Sequence, residues 1–434
     1  MSETSATPPT IDHKQHAAFF RQSGWMMLSS IIAGFMSLGV HFLNKLIPQG
    51  EYSNFGVLVM VIACLPTMPL QMVFAQQTAA ALAENRERRL IAMIRWTWFW
   101  TFAIWIVVAV LAMIFQKQIA DGWQLSSTAP LYATIFAILV SMWLPLFAGV
   151  MQGRQDFFWY GWANIAGGVL RLAAGAAAVI VFHLGASGML WGATIGVGVA
   201  SLIVIGRTRD LWSWGQPSEP FDSKALFKQI MPLIFAFGVC QFLFTTDTMY
   251  AQVHFSADSM KRYVAAGTLS RALLWLVLPI SAVMFPKIVH ASAKKEKSNL
   301  LAIVIAGTAV LAVVGAAGLC IVGPIVVRIV FKPEDVADTV ALLPWYAGAM
   351  IPLALANVLV NDLMARGRFK VVPFMVAIGV AYAFTLPYIL RHYPDRMTVV
   401  LQTLFVFTTL LFIVCAWFTW GQKSPVPAVP NPQS

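Results

Sequence analysis

Residues 300–326, LLAIVIAGTAVLAVVGAAGLCIVGPIV, run for 27 residues without a charged side chain. A bilayer core of about 30 Å is crossed by about 20 apolar residues in a helix. A helix this long and apolar on every face has no side to show to water, so it predicts a membrane span. Working outward, similar runs lie near 25–44, 53–78, 91–115, 130–151, 159–182 and 188–206, then near 228–249, 263–285, 339–360, 371–390 and 398–420. The sequence thus predicts an all-α polytopic membrane protein with about twelve transmembrane helices. The first run is too long for the apolar region of a cleaved signal peptide and follows a polar segment, so it is taken as a span.

Composition agrees. Hydrophobic residues make up 59% of the 434 and charged ones only 11%, against about 25% charged in ordinary soluble domains. The net charge of +11 does not signal nucleic acid, because the cations sit in short loops between apolar runs. One set of loops and flanks, including Arg86, Arg88, Arg89, Arg154, Arg207, Arg209, Lys294, Arg366 and Arg368, holds 19 of the 29 Lys and Arg residues. The positive-inside rule makes that face cytoplasmic. Both termini then fall on it, which requires an even number of spans.

The longest connection, residues 207–225, RTRDLWSWGQPSEPFDSKA, follows the sixth span. It divides the chain into a cytoplasmic N-terminal segment (1–24), a six-helix bundle (25–206), a linker (207–227), a second six-helix bundle (228–420) and a Pro-rich tail (421–434) expected to be disordered and cytoplasmic. The halves carry a weak internal match. Tyr52, Gly56 and Leu58 open the second span as Tyr263, Gly267 and Leu269 open the eighth. In the same register Phe74 falls opposite Phe285, with Pro69 and Pro279 nearby. Gly153-Arg154-Gln155-Asp156-Phe157 likewise matches Ala365-Arg366-Gly367-Arg368-Phe369. Six spans per half would make the repeats parallel.

Ionisable side chains inside spans are expensive and usually face a cavity or a partner. Arg171 stands roughly 16 Å into the fifth span and Arg271 roughly 12 Å into the eighth, at 1.5 Å per residue. A guanidinium stays charged and offers a fork suited to phosphate oxygens. Arg171 lies among small residues (Gly167, Gly168, Gly175, facing Gly192 and Gly196), so the alternative for it is a strut bonded to neighbouring carbonyls. Asp247, in Phe244-Thr245-Thr246-Asp247-Thr248, carries a proton or sodium ion, pairs with Arg271, or is simply an interfacial acid at a helix end. His41, Asn44 and Lys45 cluster at the end of the first span, where snorkelling to the interface competes with a binding role. Asn357, Asn361 and Asp362 are expected at a solvated helix end, and Trp96, Trp98 and Trp100 as interface anchors and packing. Cys64, Cys240, Cys320 and Cys415 each lie alone in an apolar run, which gives no metal or redox site. The GxxxxGK[ST] phosphate loop of ATP hydrolysis does not occur, no outer loop is large enough for a glycosyltransferase, and the chain is not expected to be an enzyme or to hold a cofactor.

The stretch from Gln49 to Gly56, QGEYSNFG, resembles the segment after the first helix in polysaccharide-biosynthesis (O-antigen) flippases. Residues 149–157, GVMQGRQDF, resemble their G-x-x-Q-G-x-x-R-F junction, except that Asp156 stands at the usual basic position. The likeness extends over the chain in span count and six-plus-six plan. It implies the multidrug/oligosaccharidyl-lipid/polysaccharide (MOP) exporter superfamily, with a MATE-like, V-shaped pair of bundles working by alternating access. It further implies a flippase for an undecaprenyl pyrophosphate-linked oligosaccharide in the bacterial inner membrane. Under that expectation the substrate-binding residues are Arg271, Arg171, Asp247, Lys45 and His41, with H+ or Na+ coupling and membrane lipids as partners. A cation-coupled multidrug exporter and a non-transporting assembly factor are the competing expectations.

Overall fold

A computed structural model describes residues 13–48, 50–274, 300–330 and 336–421. The rest of the expected eighth span, with Pro279, Phe285 and the loop lysines from Lys287 to Lys297, lies outside the described residues. So do Lys332, Lys423 and most of both termini. Among the described residues every regular element is helical, and eleven helices are long and apolar enough to cross a membrane. This is a multi-pass membrane protein.

The first half comprises α1 (His13–Gly39), a 3-10 turn (Val40–Leu46), α2 (Glu51–Ala63), α3 (Met68–Ala83), α4 (Glu87–Ile114), the short α5 (Gln116–Gly122), α6 (Ala129–Gly153), α7 (Phe157–Ile180) and α8 (Gly185–Arg207). The second comprises α9 (Ser223–His254), α10 (described over 257–274), α11 (Leu300–Val330), α12 (Val336–Ala365), α13 (Val372–His392) and α14 (Met397–Ala416).

The second span departs from expectation. One continuous helix was predicted over 53–78, but the chain breaks between Ala63 and Met68. Pro66 has no amide hydrogen and biases Leu65 away from helix, and Pro69 suits the first turn of the helix that follows. Open backbone at membrane depth is tolerated only inside protein or beside a cavity. Ala63, Pro66, Thr67 and Met68 all line one.

Close packing in the first half rests on glycine. A Cβ on Gly192 would stand 2.5 Å from Gly175 Cα, and one on Gly196 would stand 2.4 Å from Gly167 O. Only hydrogen at these positions lets α7 and α8 approach so closely. Thr194 and Ser201 of α8 donate to Ala133 O and Val140 O of α6, at 3.0 and 3.2 Å. In the second half α12 lies along α11 and α14.

The linker is not a free tether. Arg95 of α4 donates to Trp212 O at 3.0 Å and Gln216 O at 2.9 Å, and also to Ser213 O. Trp98 meets Trp212 edge-on, with centroids 5.0 Å apart. Two of the expected interface tryptophans therefore hold the linker, since Trp96 likewise meets Phe221 at 5.8 Å.

The matched segments of the halves behave alike. Gln155 and Gly367 hold the same register position after α6 and α12, and both are left-handed, with φ 58° and 66°. Asp156, at the position where a basic residue was expected, accepts from Trp159 N at the start of α7 and pairs with Arg207 at 3.6 Å. A carboxylate suits a helix N-terminus as a cation would not.

Candidate functional site

A cavity of about 280 Å3 lies between the halves. On one side are α2, the broken segment, His41 and Arg171; on the other are α9, α10 and α12. Three glutamines of α9 cross to the first half at three depths. At the end that carries the termini, Gln229 Oε1 accepts from Gln77 Nε2 at 3.1 Å. At the level of the cavity, Gln241 Nε2 donates to Ala63 O at 2.8 Å, using a carbonyl freed by the helix break. At the far end, Gln252 Nε2 donates to Asn54 Oδ1 at 3.3 Å and to Trp123 O at 2.8 Å.

Arg271 is the most constrained cation in the cavity wall. Helix α10 begins at residue 257, six residues before the expected start, so Arg271 sits fourteen residues in, about 21 Å along the helix. That is deeper than the sequence suggested. Its Nη2 lies 2.7 Å from Asp247 Oδ1 and 2.8 Å from Thr248 Oγ1, and its Nε donates to Phe244 O at 2.9 Å. Asp247 is fully buried behind it and also accepts from Tyr263 at 2.8 Å and from Tyr346. Its carboxylate is thus saturated by a cation and two phenols, which offsets the cost of burying the charge. The guanidinium carbon stands 5.0 Å over the Tyr346 ring and 5.4 Å over Phe244. Its Nη1 makes no hydrogen bond among the described residues, and Arg271 lines the cavity. A Cβ on Gly267 would come within 2.7 Å of that Nη1 and 3.0 Å of the Tyr346 hydroxyl, so the missing side chain leaves room for both.

Arg171 lines the same cavity from α7. Its guanidinium makes no hydrogen bond among the described residues, and its buried Nε has no partner. The expected strut, bonded to carbonyls of α8, is not what forms. Its backbone and Cβ pack against Gly192 and Gly196, while no described residue bonds its head. His41 also faces the cavity and shares a 2.8 Å hydrogen bond with Tyr52. Of the five candidates, Arg271, Arg171 and His41 share the cavity, Asp247 stands behind it, and Lys45 is elsewhere. Lys45 is exposed and donates to Arg328 O at 3.4 Å.

Sequence reasoning missed part of the wall. Asn357 and Asn361, expected at a solvated helix end, line the cavity, and so do Gln241, Thr67 and Thr268. Their neighbour Asp362 is buried and paired with Arg366 at 2.8 Å, an i,i+4 pair along α12. The spacing of Asn357 and Asn361 was a usable signal, since four residues put both on one helical face. Among the described residues no group of His, Cys, Asp and Glu could hold a metal ion.

A family model described as lipid II flippase MurJ matches residues 70–419. Among solved structures, a multidrug resistance MATE family transporter of the MOP superfamily, inward-facing, superposes with a TM-score of 0.70 at 11% identity, over 90% of this chain and 93% of that one. The outward-facing conformation of such a transporter gives 0.67 at 12%, over 93% and 94%. A MOP superfamily transporter from Pyrococcus furiosus, described by the reverse polarity of its binding pocket, gives 0.61 at 12%, over 93% and 94%. At these identities the likeness establishes the shared fold. No curated protein matches the sequence.

Proposed function

The chain belongs to the lipid II flippase MurJ family, and from that membership and the chemistry of its cavity we propose that it flips an undecaprenyl pyrophosphate-linked saccharide across the bacterial inner membrane by alternating access. The family is one of transporters, not enzymes. The observation that carries the reading is that two arginines, one from each half, face one cavity deep in the membrane. A diphosphate cannot shed water unless fixed positive charge and donors replace its hydration. Charge-assisted, forked guanidinium contacts are among the stronger polar contacts available for this. Asp247, Thr248 and Phe244 O hold the Arg271 fork so that one nitrogen is left for the ligand. Arg171 brings a second cation with no partner among the described residues to neutralise it. Since the two belong to different halves, a diphosphate held by both would tie its own position to their relative movement.

The same wall argues against an exporter of cationic drugs. Two guanidiniums and no carboxylate line the cavity among the described residues. For Asp247 to couple H+ or Na+, it would first have to surrender its bonds to Arg271, Tyr263 and Tyr346. The family's namesake points to the saccharide of lipid II, and the QGEYSNFG and GVMQGRQDF segments point to an envelope oligosaccharide. Cytoplasmic termini follow from the loop charges.

Reconstituted vesicles test the reading. With a fluorescent polyprenyl diphosphate-linked saccharide in both leaflets, the protein should expose the inner pool to an external quencher far faster than protein-free vesicles do. Arg271→Ala should return the rate to that background. Equal rates with and without protein would overturn the proposal.

A further inference from the structure

The wall of the cavity opposite Arg171 carries three amide side chains, Gln241 on α9 and Asn357 and Asn361 on α12. In each, one N–H of the amide is already given to a main-chain carbonyl. Gln241 Nε2 donates to Ala63 O at 2.8 Å, Asn357 Nδ2 to Leu353 O at 3.0 Å and Asn361 Nδ2 to Asn357 O at 2.8 Å. A main-chain carbonyl can only accept, so these bonds fix which end of each amide is nitrogen. The three side-chain carbonyl oxygens have no hydrogen-bond partner among the described residues, and all three side chains are only half-buried. Asn357 and Asn361 are four residues apart and share a face of α12. The cavity is therefore sorted by chemistry. The two guanidiniums supply donors and positive charge, and the amide wall supplies three neutral acceptor oxygens, each beside one remaining amide N–H.

Neutral acceptors call for donors. A metal or ammonium cation would meet three carbonyl dipoles but no carboxylate, in a cavity that already holds two guanidiniums, so like-charge repulsion disfavours it. A neutral group rich in O–H and N–H satisfies the same oxygens without adding charge. We infer that Gln241, Asn357 and Asn361 form a saccharide subsite, accepting hydrogen bonds from hydroxyl and amide N–H groups of the sugar that follows the diphosphate. The inference rests on the flippase reading above and extends it from the phosphate to the sugar. It gives the ligand a direction, with the diphosphate at the arginines and the sugar against α9 and α12. A site built to bond a ligand's hydroxyls discriminates strongly against a ligand lacking them, because its own polar groups are then left unpaired.

Equilibrium binding to the purified full-length protein, with polyprenyl diphosphate bare or bearing one hexose, tests this. Asn357→Leu/Asn361→Leu should weaken binding of the hexose-bearing ligand by about tenfold or more, while the bare diphosphate binds as tightly as to wild type. If the double variant does not purify, the single Asn361→Leu is judged by the same criterion. Equal weakening of both ligands, or no weakening of either, would overturn the subsite while leaving the diphosphate site intact. Sodium-dependent binding in wild type that the double variant loses would make the amides a cation site and also overturn it. If wild type binds neither ligand, the flippase reading falls first and the subsite falls with it.

Discussion

Arg271 Nη2 and Asp247 Oδ1 lie 2.7 Å apart, and the two side chains are 5% and 0% exposed. Removing one partner of a buried pair leaves an uncompensated charge, at a cost of about 3–5 kcal/mol. Arg271→Ala should therefore lower the melting temperature as well as transport, with Tyr263 and Tyr346 alone left to solvate Asp247. The double variant Arg271→Ala/Asp247→Ala should regain most of the stability and none of the transport. Melting curves in detergent and the vesicle assay separate the two effects. Restored transport in the double variant would show that the pair is structural only.

Arg171 should behave differently, because no described residue bonds its guanidinium. Arg171→Ala is expected to leave abundance and melting temperature near wild type while cutting transport roughly ten- to hundredfold, the scale of one or two charged hydrogen bonds. Gly196→Ala, one turn away on the facing helix, should do the reverse. Its Cβ would sit 2.4 Å from Gly167 O and 2.6 Å from Arg171 Cβ, so the helices must part and the protein should lose stability. A destabilised Arg171→Ala would restore the strut.

The halves meet at another glycine. A Cβ on Gly56 would lie 2.2 Å from Val264 Cγ1, on a short, stiff side chain. Gly56→Ala should cost about 1–3 kcal/mol by overpacking, and Val264→Ala added to it should recover much of that loss. Such compensation is the signature of direct contact. Strictly additive losses in a double-mutant cycle of melting measurements would contradict the contact between α2 and α10.

How much of this was legible in the sequence depends on which force sets each feature. Span positions were readable because the bilayer dictates length and apolarity residue by residue, as in the run at 300–326. The break after Ala63 was not read, because Leu65, Met68 and Leu70 keep the segment apolar; Pro66 and Pro69 were the signal, and only the latter was noticed. Ion pairing inside the bilayer narrows the choices for a lone acid, so Asp247 beside Arg271 could be offered as one of three options. That Arg171 and Arg271 share a cavity was offered only through the family resemblance, since they lie 100 residues apart in different halves and no local pattern links them. Asn357 and Asn361 were misplaced because distance from a helix end says nothing about which face the cavity takes.

Alternating access makes a last demand on the ends of the α2–α3 and α9 seam. Gln77 and Gln229 close it at one end, Asn54 and Gln252 at the other, and the cavity lies between. Neutral amide pairs are worth only about 0.5–1.5 kcal/mol each, weak enough for either end to open when ligand binding favours it. If the halves rock, the two pairs cannot stay joined throughout a cycle. Cysteines at Gln77 and Gln229, in a background with Cys64, Cys240, Cys320 and Cys415 replaced, should therefore stop transport when bridged by a short cleavable thiol crosslinker, and cleaving it should restore the rate. Bridging Asn54 and Gln252 in the same way should also arrest transport, from the opposite face. Undiminished transport with either pair bridged would mean that this end does not open, and the substrate would then need a route other than the seam between the halves.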